Sequence, residues 1–170
     1  MAHYLVTGGA GFIGSHLVEE LIRRGEQVRV LDNFSTGKRE NLEPFIDRIE
    51  LIEGDIRSYH IVREAVQGVD YVLHQGALPS VPRSINDPIT TNEVNVTGTL
   101  NMLDAAKDAG VKRVVYASSS SVYGSDPELP VREDMNPNPV SPYAVAKLYA
   151  YWITKNYRAA YGLHASNGIL

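Results

Sequence analysis

Two side chains spaced about one helical turn apart, Tyr143 and Lys147, are the first in this chain that could do chemistry together. On a helix, residues four positions apart share a face, so the phenol and the ammonium would lie side by side. A phenol is a poor base because its unperturbed pKa is about 10, but a nearby positive charge favours the phenolate. Tyr143 could then accept the proton of a substrate hydroxyl. Such a pair is also common on ordinary helix surfaces, so the interpretation needs support from other parts of the chain.

A run of four serines, Ser118 to Ser121, precedes this segment and follows a predicted buried strand. Serine runs are more often polar turns than catalytic elements. At the carboxyl end of a strand in an α/β sheet, however, one hydroxyl could face a ligand pocket. The run therefore offers a hydrogen-bond donor that could hold a substrate oxygen in line with Tyr143.

The segment VTGGAGFIGSHL places several glycines between an apolar strand and a helix. Glycine allows a tight turn and lets backbone amides approach a pyrophosphate, and the helix N-terminus adds a partial positive charge. A lone glycine triplet is weak support, but a strand before it and a helix after it are the context that a dinucleotide site requires. The glycines concerned are Gly8, Gly9, Gly11 and Gly14.

Asp32 ends the second predicted strand, at about the ~20-residue separation from the glycines that is typical of dinucleotide sites. A carboxylate at this position can accept hydrogen bonds from the adenosine ribose, and it repels a 2′-phosphate. We therefore predict NAD, in preference to NADP, as the cofactor. Hydride would pass to it while Tyr143 removes the hydroxyl proton. No metal site is predicted.

These candidates need a framework that brings distant parts of the chain together. Short apolar runs alternate with segments of helical periodicity, and Gly25, Gly110 and Gly162 end predicted helices. Ser141 and Pro142 form a strong helix start, because serine can cap the free amides and proline fits the first turn. The predicted strands are 3–7, 27–31, 49–53, 71–74, 113–117 and 163–170, and the predicted helices include 88–109, 142–161 and a short helix that Ser58 could cap.

Strands that alternate with helices require crossover connections, so the pattern predicts an α/β fold with a mostly parallel sheet. Two segments, Gln75–Asn86 and Ser118–Ser141, are longer than plain connectors need to be. Both follow the carboxyl ends of predicted strands, where open α/β sheets bind ligands. We therefore expect the function of the chain to reside there.

The composition is that of one globular domain, 1–170, without nucleic-acid or membrane character. Hydrophobic residues make up 44% and charged residues 21%, which argues against disorder. The net charge of -4, with no cluster of Lys or Arg, argues against nucleic acid or an anionic membrane as partner. The absence of cysteine excludes disulfides, Cys-ligated zinc and thiol nucleophiles. No signal peptide is recognised, so we expect a soluble, cytoplasmic protein.

Several motifs together resemble the extended short-chain dehydrogenase/reductases, and within them the nucleotide-sugar epimerases and dehydratases. The resemblance covers all 170 residues and rests on TGGAGFIG, Asp32, Asp55-Ile56, Asn95, ASSSSVYG and SPYAVAK. It implies a Rossmann-like, doubly wound parallel sheet with helices on both faces, and NAD as cofactor. It also implies that the catalytic residues are Tyr143, Lys147 and Ser119.

The resemblance further implies which residues contact the cofactor and the substrate. The glycine loop would hold the pyrophosphate, the segment from Asp32 to Gly37 the adenosine ribose, and Asp55-Ile56 the adenine. Gly76 departs from the Leu-Ala-Ala-like segment that the family usually has at 75–77. The implied cofactor contacts are Gly8, Gly11, Phe12, Ile13, Gly14, Asp32, Asn33, Ser35, Thr36, Gly37, Asp55, Ile56, Gln75, Gly76, Ala77, Asn95, Ala117, Tyr143 and Lys147. The implied substrate contacts are Ser80, Ser119 and Tyr143, with Arg83 close to the substrate phosphates or sugar.

Different parts of the chain resemble family members that have two different activities. Roughly the first 140 residues resemble UDP-sugar 4-epimerases, whereas the stretch from Ser141 onward resembles GDP-mannose 4,6-dehydratases. A natural mosaic and a recombined chain both remain open. Members of the family continue into a C-terminal substrate domain, which we expect to be missing from this chain.

The function that the resemblance implies is NAD-dependent epimerisation at carbon 4 of a nucleotide sugar, a UDP-hexose, through a transient 4-keto intermediate. A GDP-mannose 4,6-dehydratase-like lyase is the alternative. Dehydratases of the family carry a glutamate two residues before the tyrosine of the VYG motif, and Ser121 at that position favours the epimerase. An NAD-binding or dimerisation module without turnover is the third possibility. The resemblance also implies a homodimer formed through the last helix and the helix around 97–109.

Overall fold

A single parallel sheet organises the chain in the computed structural model, which describes residues 1–125 and 129–168. Its strands are β1 His3–Thr7, β2 Gln27–Asp32, β3 Glu50–Glu53, β4 Tyr71–His74, β5 Arg113–Ala117 and β6 Ala165–Gly168. Their spatial order is β3-β2-β1-β4-β5-β6, and every neighbouring pair is parallel. The chain therefore winds outward from β1 in one direction and from β4 in the other. This order confirms the predicted doubly wound sheet and opens a crevice at the carboxyl ends of β1 and β4.

Helical segments cover both faces of the sheet. The α-helices are α1 Phe12–Arg23, α2 Tyr59–Ala65, α3 Val81–Asn86, α4 Pro88–Asn92, α5 Gly98–Asp108 and α6 Pro142–Tyr161. Tighter 3₁₀ turns lie at Arg39–Asn41, Glu43–Arg48 and Ser120–Tyr123, and a wider π turn lies at Glu93–Thr97. Among the described residues, none of the helices combines the length and the apolar character that crossing a bilayer requires.

The hydrophobic core is divided between the two faces of the sheet. Side chains alternate along a strand, so Leu5 and Val6 of β1 are both fully buried but enter different clusters. Leu5 packs with side chains of α2, α5 and α6, whereas Val6 packs with those of α1. Burial on both faces explains why the strands have near-continuous apolar runs in the sequence.

The predicted strands agree closely with the structure. β1, β4 and β5 have the predicted bounds, whereas β2 is one residue longer and β3 one residue shorter than predicted. β6 lies within the predicted 163–170, of which residues 169 and 170 are outside the described residues. Most of these bounds are well determined because the runs are mainly apolar and end at glycine or polar residues.

Two helical predictions need correction. The predicted helix 88–109 is continuous helical backbone, but it is divided by the π turn at Glu93–Thr97. The segment Gln75–Asn86, which is longer than a plain connector needs to be but in which no helix was predicted, contains α3. Ser80 occupies the N-cap position of α3, and its hydroxyl accepts a hydrogen bond from the amide of Arg83 at 3.3 Å. Pro82 in the first turn was the sequence signal for this short helix.

The two predicted serine caps have different outcomes. The Ser141 hydroxyl accepts a hydrogen bond from the amide of Ala144 at 3.1 Å and begins α6 as predicted. Ser58 occupies the N-cap position of α2, but its hydroxyl makes no capping hydrogen bond within the described part of the chain. The prediction for Ser58 was therefore right about the position and wrong about the interaction.

We expect Ser141→Ala to lower the free energy of unfolding by about 1 kcal/mol, the usual loss of an N-cap hydrogen bond. Ser58→Ala is the matched control and should change stability by only a few tenths of this amount, since no capping bond is lost. Urea denaturation followed by circular dichroism measures both. Equal losses in the two variants would contradict the assignment.

Candidate active site

A cleft of about 610 Å³ lies at the carboxyl ends of the central strands. Nearly all the residues predicted to contact a cofactor line it. These are Gly8, Gly11, Phe12, Ile13, Gly14, Asp32, Asn33, Ser35, Thr36, Gly37, Asp55, Ile56, Gln75, Gly76, Ala77, Ala117, Tyr143 and Lys147, together with Ser119. Four predicted residues lie outside this lining within the described ranges, namely Gly9, Asn95, Ser80 and Arg83.

The glycine loop forms the floor of the cleft. Gly8 has a φ of +68°, and a Cβ at this position would lie 2.8 Å from the amide nitrogen of Gly76. A side chain at Gly14 would collide with the carbonyl oxygen of Gly8. The backbone of the loop therefore lies directly against the segment that follows β4, and the first turn of α1 presents its free amides to the cleft.

Asp32 holds this loop in place. One carboxylate oxygen accepts a hydrogen bond from the amide of Ala10 at 2.9 Å, and the other accepts from the amide of Phe34 at 2.8 Å. The side chain is nearly buried but still lines the cleft. Each carboxylate oxygen can accept a second hydrogen bond, so ribose contacts remain available. Sequence analysis gave Asp32 only a cofactor role, and the structure adds a structural one.

A second carboxylate, Asp55, lies beyond β3. It accepts hydrogen bonds from the amide and guanidinium of Arg57 and from the side-chain amide of Asn33, the last at 3.0 Å. The guanidinium of Arg57 holds the pKa of Asp55 below its usual value. Arg57 also reaches Glu93 at 3.2 Å. Sequence analysis missed Arg57, which lines the same cleft and follows Asp55 by two residues.

A chain of hydrogen bonds lies directly beneath the cleft. The amide of Gly76 donates to the Thr7 hydroxyl at 3.0 Å, and the Thr99 hydroxyl donates to the Asn95 carbonyl at 2.8 Å. His74 lies between these hydroxyls, with Nδ1 2.6 Å from Thr7 and Nε2 3.1 Å from Thr99. The Thr99 proton is already donated, so Nε2–H donates to Thr99 and Nδ1 accepts from Thr7. This directional chain requires a neutral His74.

The environment of His74 agrees with that requirement. Burial, and secondarily the charge of Lys147, lowers the pKa of His74 to about 3. Asn95 completes the arrangement by binding the backbone of Leu78 twice. Its side-chain oxygen Oδ1 accepts from the backbone amide of Leu78 at 2.7 Å, and its Nδ2 donates to the backbone carbonyl of Leu78 at 3.0 Å. Asn95 therefore shapes the wall of the cleft through Leu78 and does not line it. Sequence analysis predicted only a buried strand at His74.

Tyr143, Lys147 and Ser119 meet at the other end of the cleft. Tyr143 and Lys147 lie on the first two turns of α6, as their spacing predicted. The Nζ atom of Lys147 is 5.9 Å from the centroid of the Tyr143 ring. Ser119 follows β5; its hydroxyl accepts from the amide of Ser121 at 3.3 Å and lies 3.2 Å from the hydroxyl of Ser121. The three predicted catalytic side chains therefore share one pocket.

Lys147 is a buried cation in this pocket. Its ammonium donates to the carbonyl of Ala117 at 3.0 Å, and no salt bridge to a carboxylate is formed within the described ranges. Burial lowers the pKa of Lys147 to about 8, because the charged form loses its hydration. The side chain therefore remains mostly protonated at neutral pH and places a positive charge beside the phenol.

Sequence analysis also missed several apolar and polar wall residues. Thr90 and Val94, one helical turn apart, project from α4 and the π turn into the cleft, and the spacing within the predicted helix was their signal. Ser80 does not line the cleft: it is exposed, has a φ of +98° and caps α3, and its contact with a substrate stays a prediction. Arg83 is likewise outside the lining, on α3.

The cleft fits a dinucleotide. Its floor is backbone that a single Cβ would obstruct, the free amides of α1 suit a pyrophosphate, and two carboxylates lie at one end. The phenol, ammonium and serine hydroxyl lie at the other end. An arrangement of this kind can bind a redox dinucleotide across the crevice and present a proton acceptor to a second ligand.

Comparison with known proteins gives the same class. The family model described as GDP-mannose 4,6 dehydratase matches residues 5–170. The chain belongs to this family, among the extended short-chain dehydrogenase/reductases that act on nucleotide sugars. A UDP-glucose 4-epimerase of Mycolicibacterium smegmatis is 41% identical over 167 residues, which is 96% of this chain and 53% of that protein.

Solved structures of relatives superpose closely. UDP-glucose 4-epimerase of Thermus thermophilus in complex with NAD has a TM-score of 0.90 and 41% identity, covering 97% of this chain and 53% of that one. DesIV, a dTDP-glucose 4,6-dehydratase of Streptomyces venezuelae with NAD bound, has a TM-score of 0.93 and 38% identity. The match covers 98% of this chain and 55% of that one. The chain thus spans about half the length of the relatives that it matches.

Two glycines with nearly the same backbone conformation test the role of the glycine loop. Gly8 has a φ of +68° and Gly68 a φ of +69°, but no described atom lies within 4 Å of a Cβ at Gly68. Gly68→Ala should lower the free energy of unfolding by about 1–2 kcal/mol, the usual cost of a left-handed alanine. Gly8→Ala should lower it further and abolish NAD binding, because its Cβ meets Gly76. Urea denaturation and calorimetric titration measure these effects; equal stability losses with binding retained in both would contradict the assignment.

Proposed function

We propose that this chain is the cofactor-binding half of an NAD-dependent nucleotide-sugar 4-epimerase, with a UDP-hexose as substrate. The observation that carries the proposal is the meeting of Tyr143, Lys147 and Ser119 in the cleft that the glycine loop and Asp32 also line. The relatives named above support it, since two of the three are UDP-glucose 4-epimerases.

The proposed cofactor site follows from the two ends of the cleft. Gly8, Gly11 and Gly14 would hold the pyrophosphate through backbone amides, and Asp32 would accept the ribose hydroxyls with its remaining lone pairs. Asp55 and Arg57 would flank the adenine. When bound, NAD supplies the acceptor and then the donor of a hydride.

Three side chains would carry out the proton chemistry. Tyr143 would take the proton of the carbon 4 hydroxyl as hydride leaves that carbon, which gives the 4-keto sugar, and would return a proton when hydride is added to the opposite face. Ser119 would hold the oxygen at carbon 4 by a hydrogen bond. The ammonium of Lys147 favours the phenolate form of Tyr143 in the first step. No net oxidation results, because hydride and proton are both returned.

The distribution of carboxylates favours epimerisation over dehydration. Among the described residues that line the cleft, the carboxylates are those of Asp32 and Asp55. Asp32 ends β2, Asp55 follows β3, and Ser119 follows β5, so about three strand spacings, roughly 14 Å, separate the nearest carboxylate from the serine. Elimination of water needs an acid near the sugar, and Ser121 stands where the dehydratase resemblance expects a glutamate.

A dehydratase-like activity is the second candidate, and two observations favour it: the description of the matched family model and the similarity to DesIV. An NAD-binding module without turnover is the third, because the chain spans only about half of its relatives. Mass spectrometry of the purified chain for retained NAD, followed by a panel of UDP-, GDP- and dTDP-sugars, separates the three. Formation of the 4-epimer supports the proposal, a 4-keto-6-deoxy product supports the dehydratase, and binding without conversion supports the module.

We expect NAD to bind more tightly than NADP, because the charge of Asp32 opposes a 2′-phosphate. Asp32→Asn should lower the ratio of the dissociation constant for NADP to that for NAD at least tenfold. This is the change expected for loss of one charged hydrogen bond of about 1.5–3 kcal/mol. Both constants are measured on the same variant by calorimetry. The single amide oxygen of asparagine can keep only one of the Ala10 and Phe34 contacts, and the loss of the other affects both constants alike. Tighter binding of NADP by the unaltered chain would overturn the assignment.

Tyr143→Phe should reduce turnover by at least 10²–10⁴-fold, roughly the usual contribution of a general acid–base group, while NAD binding is retained. The ring and its packing remain, and only the ionisable oxygen is lost. The measurement belongs in the longer protein that contains the substrate-binding half. Tyr161→Phe, at the exposed C-terminal end of α6, is the control and should keep normal turnover. Near-normal epimerisation by Tyr143→Phe would show that Tyr143 is not the base.

We also propose a homodimer that uses α6, with α5 beside it. Val145, Tyr149 and Trp152 follow one another at helical spacing on α6 and are 53%, 49% and 53% exposed. Apolar surface in such a stripe is typical of a helix that packs against a partner. The exposed side of α5 is polar, with Asp104, Lys107 and Asp108, so α6 would supply the apolar contact. A cytoplasmic location stays a prediction.

The dimer proposal predicts that Trp152→Glu weakens association at least tenfold, because a charge would enter the apolar contact. Ile46→Glu is the matched control: Ile46 is 45% exposed in the turn Glu43–Arg48, on the opposite side of the sheet, and should leave association unchanged. Light scattering over a range of protein concentrations measures the effect. A monomer at every concentration in the unaltered chain would refute the proposal.

A further inference from the structure

A row of polar side chains crosses the sheet directly below the cleft. Its members are neighbours in register on four adjacent strands, namely Thr7, His74, Tyr116 and Asn167. Two residues earlier, the same face carries an apolar row of Leu5, Val72, Val114 and Ala165. The change from apolar to polar occurs at the level where α6 places Lys147. The polar row therefore forms the lower surface of the proposed catalytic pocket.

The contacts of Tyr116 differ from those of Thr7 and His74. Thr7 and His74 are fully used in the hydrogen-bond chain to Gly76. The Tyr116 hydroxyl is buried and has no hydrogen-bond partner among the described residues. A buried hydroxyl without a partner costs stability, so packing alone would favour phenylalanine here. The part of this side chain that could act on its surroundings is therefore the aromatic ring.

The ring of Tyr116 lies beside Lys147. The Nζ atom of Lys147 is 5.0 Å from the centroid of the Tyr116 ring, within the range of a cation–π interaction. The other polar partner of the ammonium is the carbonyl of Ala117, the next residue on β5. Both side chains are buried. An ammonium in such a place has lost its hydration, and a desolvated cation–π contact is stronger than an exposed one.

We propose that Tyr116 is a positioning residue whose ring face holds the charged ammonium of Lys147 beneath Tyr143. The proposal rests on the proposed function, in which Lys147 favours the phenolate of Tyr143. A carboxylate in place of the ring would hold the ammonium more strongly, but it would cancel the positive charge that Tyr143 needs. A ring face stabilises the cation without adding a net charge, so the field at the phenol is kept.

The other titratable groups around Lys147 do not replace this contact. His74, from β4, is neutral, and its ring centroid is 5.9 Å from that of Tyr116. Tyr143 lies on the same helix, with its ring centroid 5.9 Å from Nζ. The remaining charged or titratable groups on the elements that pack against α6 are Arg83 of α3, Glu93 of the π turn, Asp104, Lys107 and Asp108 of α5 and Tyr123 of the 3₁₀ turn. Arg113 lies at the start of β5, whose last residue, Ala117, accepts the hydrogen bond from Lys147. Glu93 pairs with Arg57, and Asp104 and Asp108 pair with Lys107.

The protonation of Lys147 can be measured directly on this chain. The sequence has five lysines, so ¹³C-lysine NMR gives five ¹³Cε signals, and Lys147→Met identifies the signal of interest. Neither cofactor nor substrate is added, so the measurement is independent of whether the epimerase proposal is right. In the unaltered chain we expect the pKa of Lys147 to be about 8.

Three variants separate the ring from the hydroxyl and from general packing. Tyr116→Leu removes the ring and should lower the titration midpoint of Lys147 by about one pH unit, which is about a tenfold increase in its acid dissociation constant. Tyr116→Phe keeps the ring and should leave the midpoint where it is. Tyr157→Leu alters another buried tyrosine, on α6 near Asp104, and should destabilise the chain without moving the midpoint. Tyr116→Met, which is unbranched, provides the same test if Tyr116→Leu does not fold.

Two results would overturn the proposal. An unchanged or raised midpoint in both Tyr116→Leu and Tyr116→Met would show that the ring does not stabilise the ammonium. A midpoint lowered as much by Tyr116→Phe as by Tyr116→Leu would assign the effect to the hydroxyl. In each variant the four other lysine signals report whether the fold is intact.

Discussion

The close approach of the Gly8 and Gly76 backbones is the constraint on which the cleft depends. Gly8 directly follows β1 and Gly76 lies two residues after β4, so this contact lies where the winding of the sheet changes direction. Because no side chain separates the two backbones, the cleft floor is made of peptide groups. The first turn of α1 is therefore held over the same crevice, where its free amides can meet an anion.

The surroundings of this contact are arranged to preserve it. Asp32 binds the amide of Ala10 and so fixes the loop to the end of β2, while Thr7 binds the amide of Gly76 from below. Thr7 is held in turn by His74, which must be neutral for the direction of the hydrogen bonds to be consistent. A buried polar network is most rigid when each donor and acceptor in it is used, as in the bonds from Gly76 through Thr7 and His74 to Thr99. The chain of bonds therefore supports the cleft and also prevents alternative arrangements of the loop.

Lys147 shows a different relation between stability and chemistry. Among the described residues, the ammonium of Lys147 has no carboxylate partner; burying it costs folding free energy, and its lowered pKa records that cost. A neighbouring carboxylate would relieve the cost, but it would also neutralise the field that, in the proposed mechanism, favours the phenolate of Tyr143. The carbonyl of Ala117 and the ring of Tyr116 instead solvate the charge in part. Sites that need an uncompensated charge commonly accept such a loss of stability.

The sequence by itself determined the strands, the mostly parallel sheet and the glycine loop, and the resemblance carried by its motifs implied the doubly wound order and most of the other residues in the cleft. Apolar runs, glycines and capping signals such as Ser141 act locally, so they can be identified from neighbouring residues alone. Tertiary structure decided the rest. It gave Asp32 its contact with Ala10, made Ser80 the N-cap of α3, and placed His74 and Tyr116 beneath the site. These outcomes depend on which strands lie side by side and in what register, and no local pattern specifies a partner that is distant along the chain.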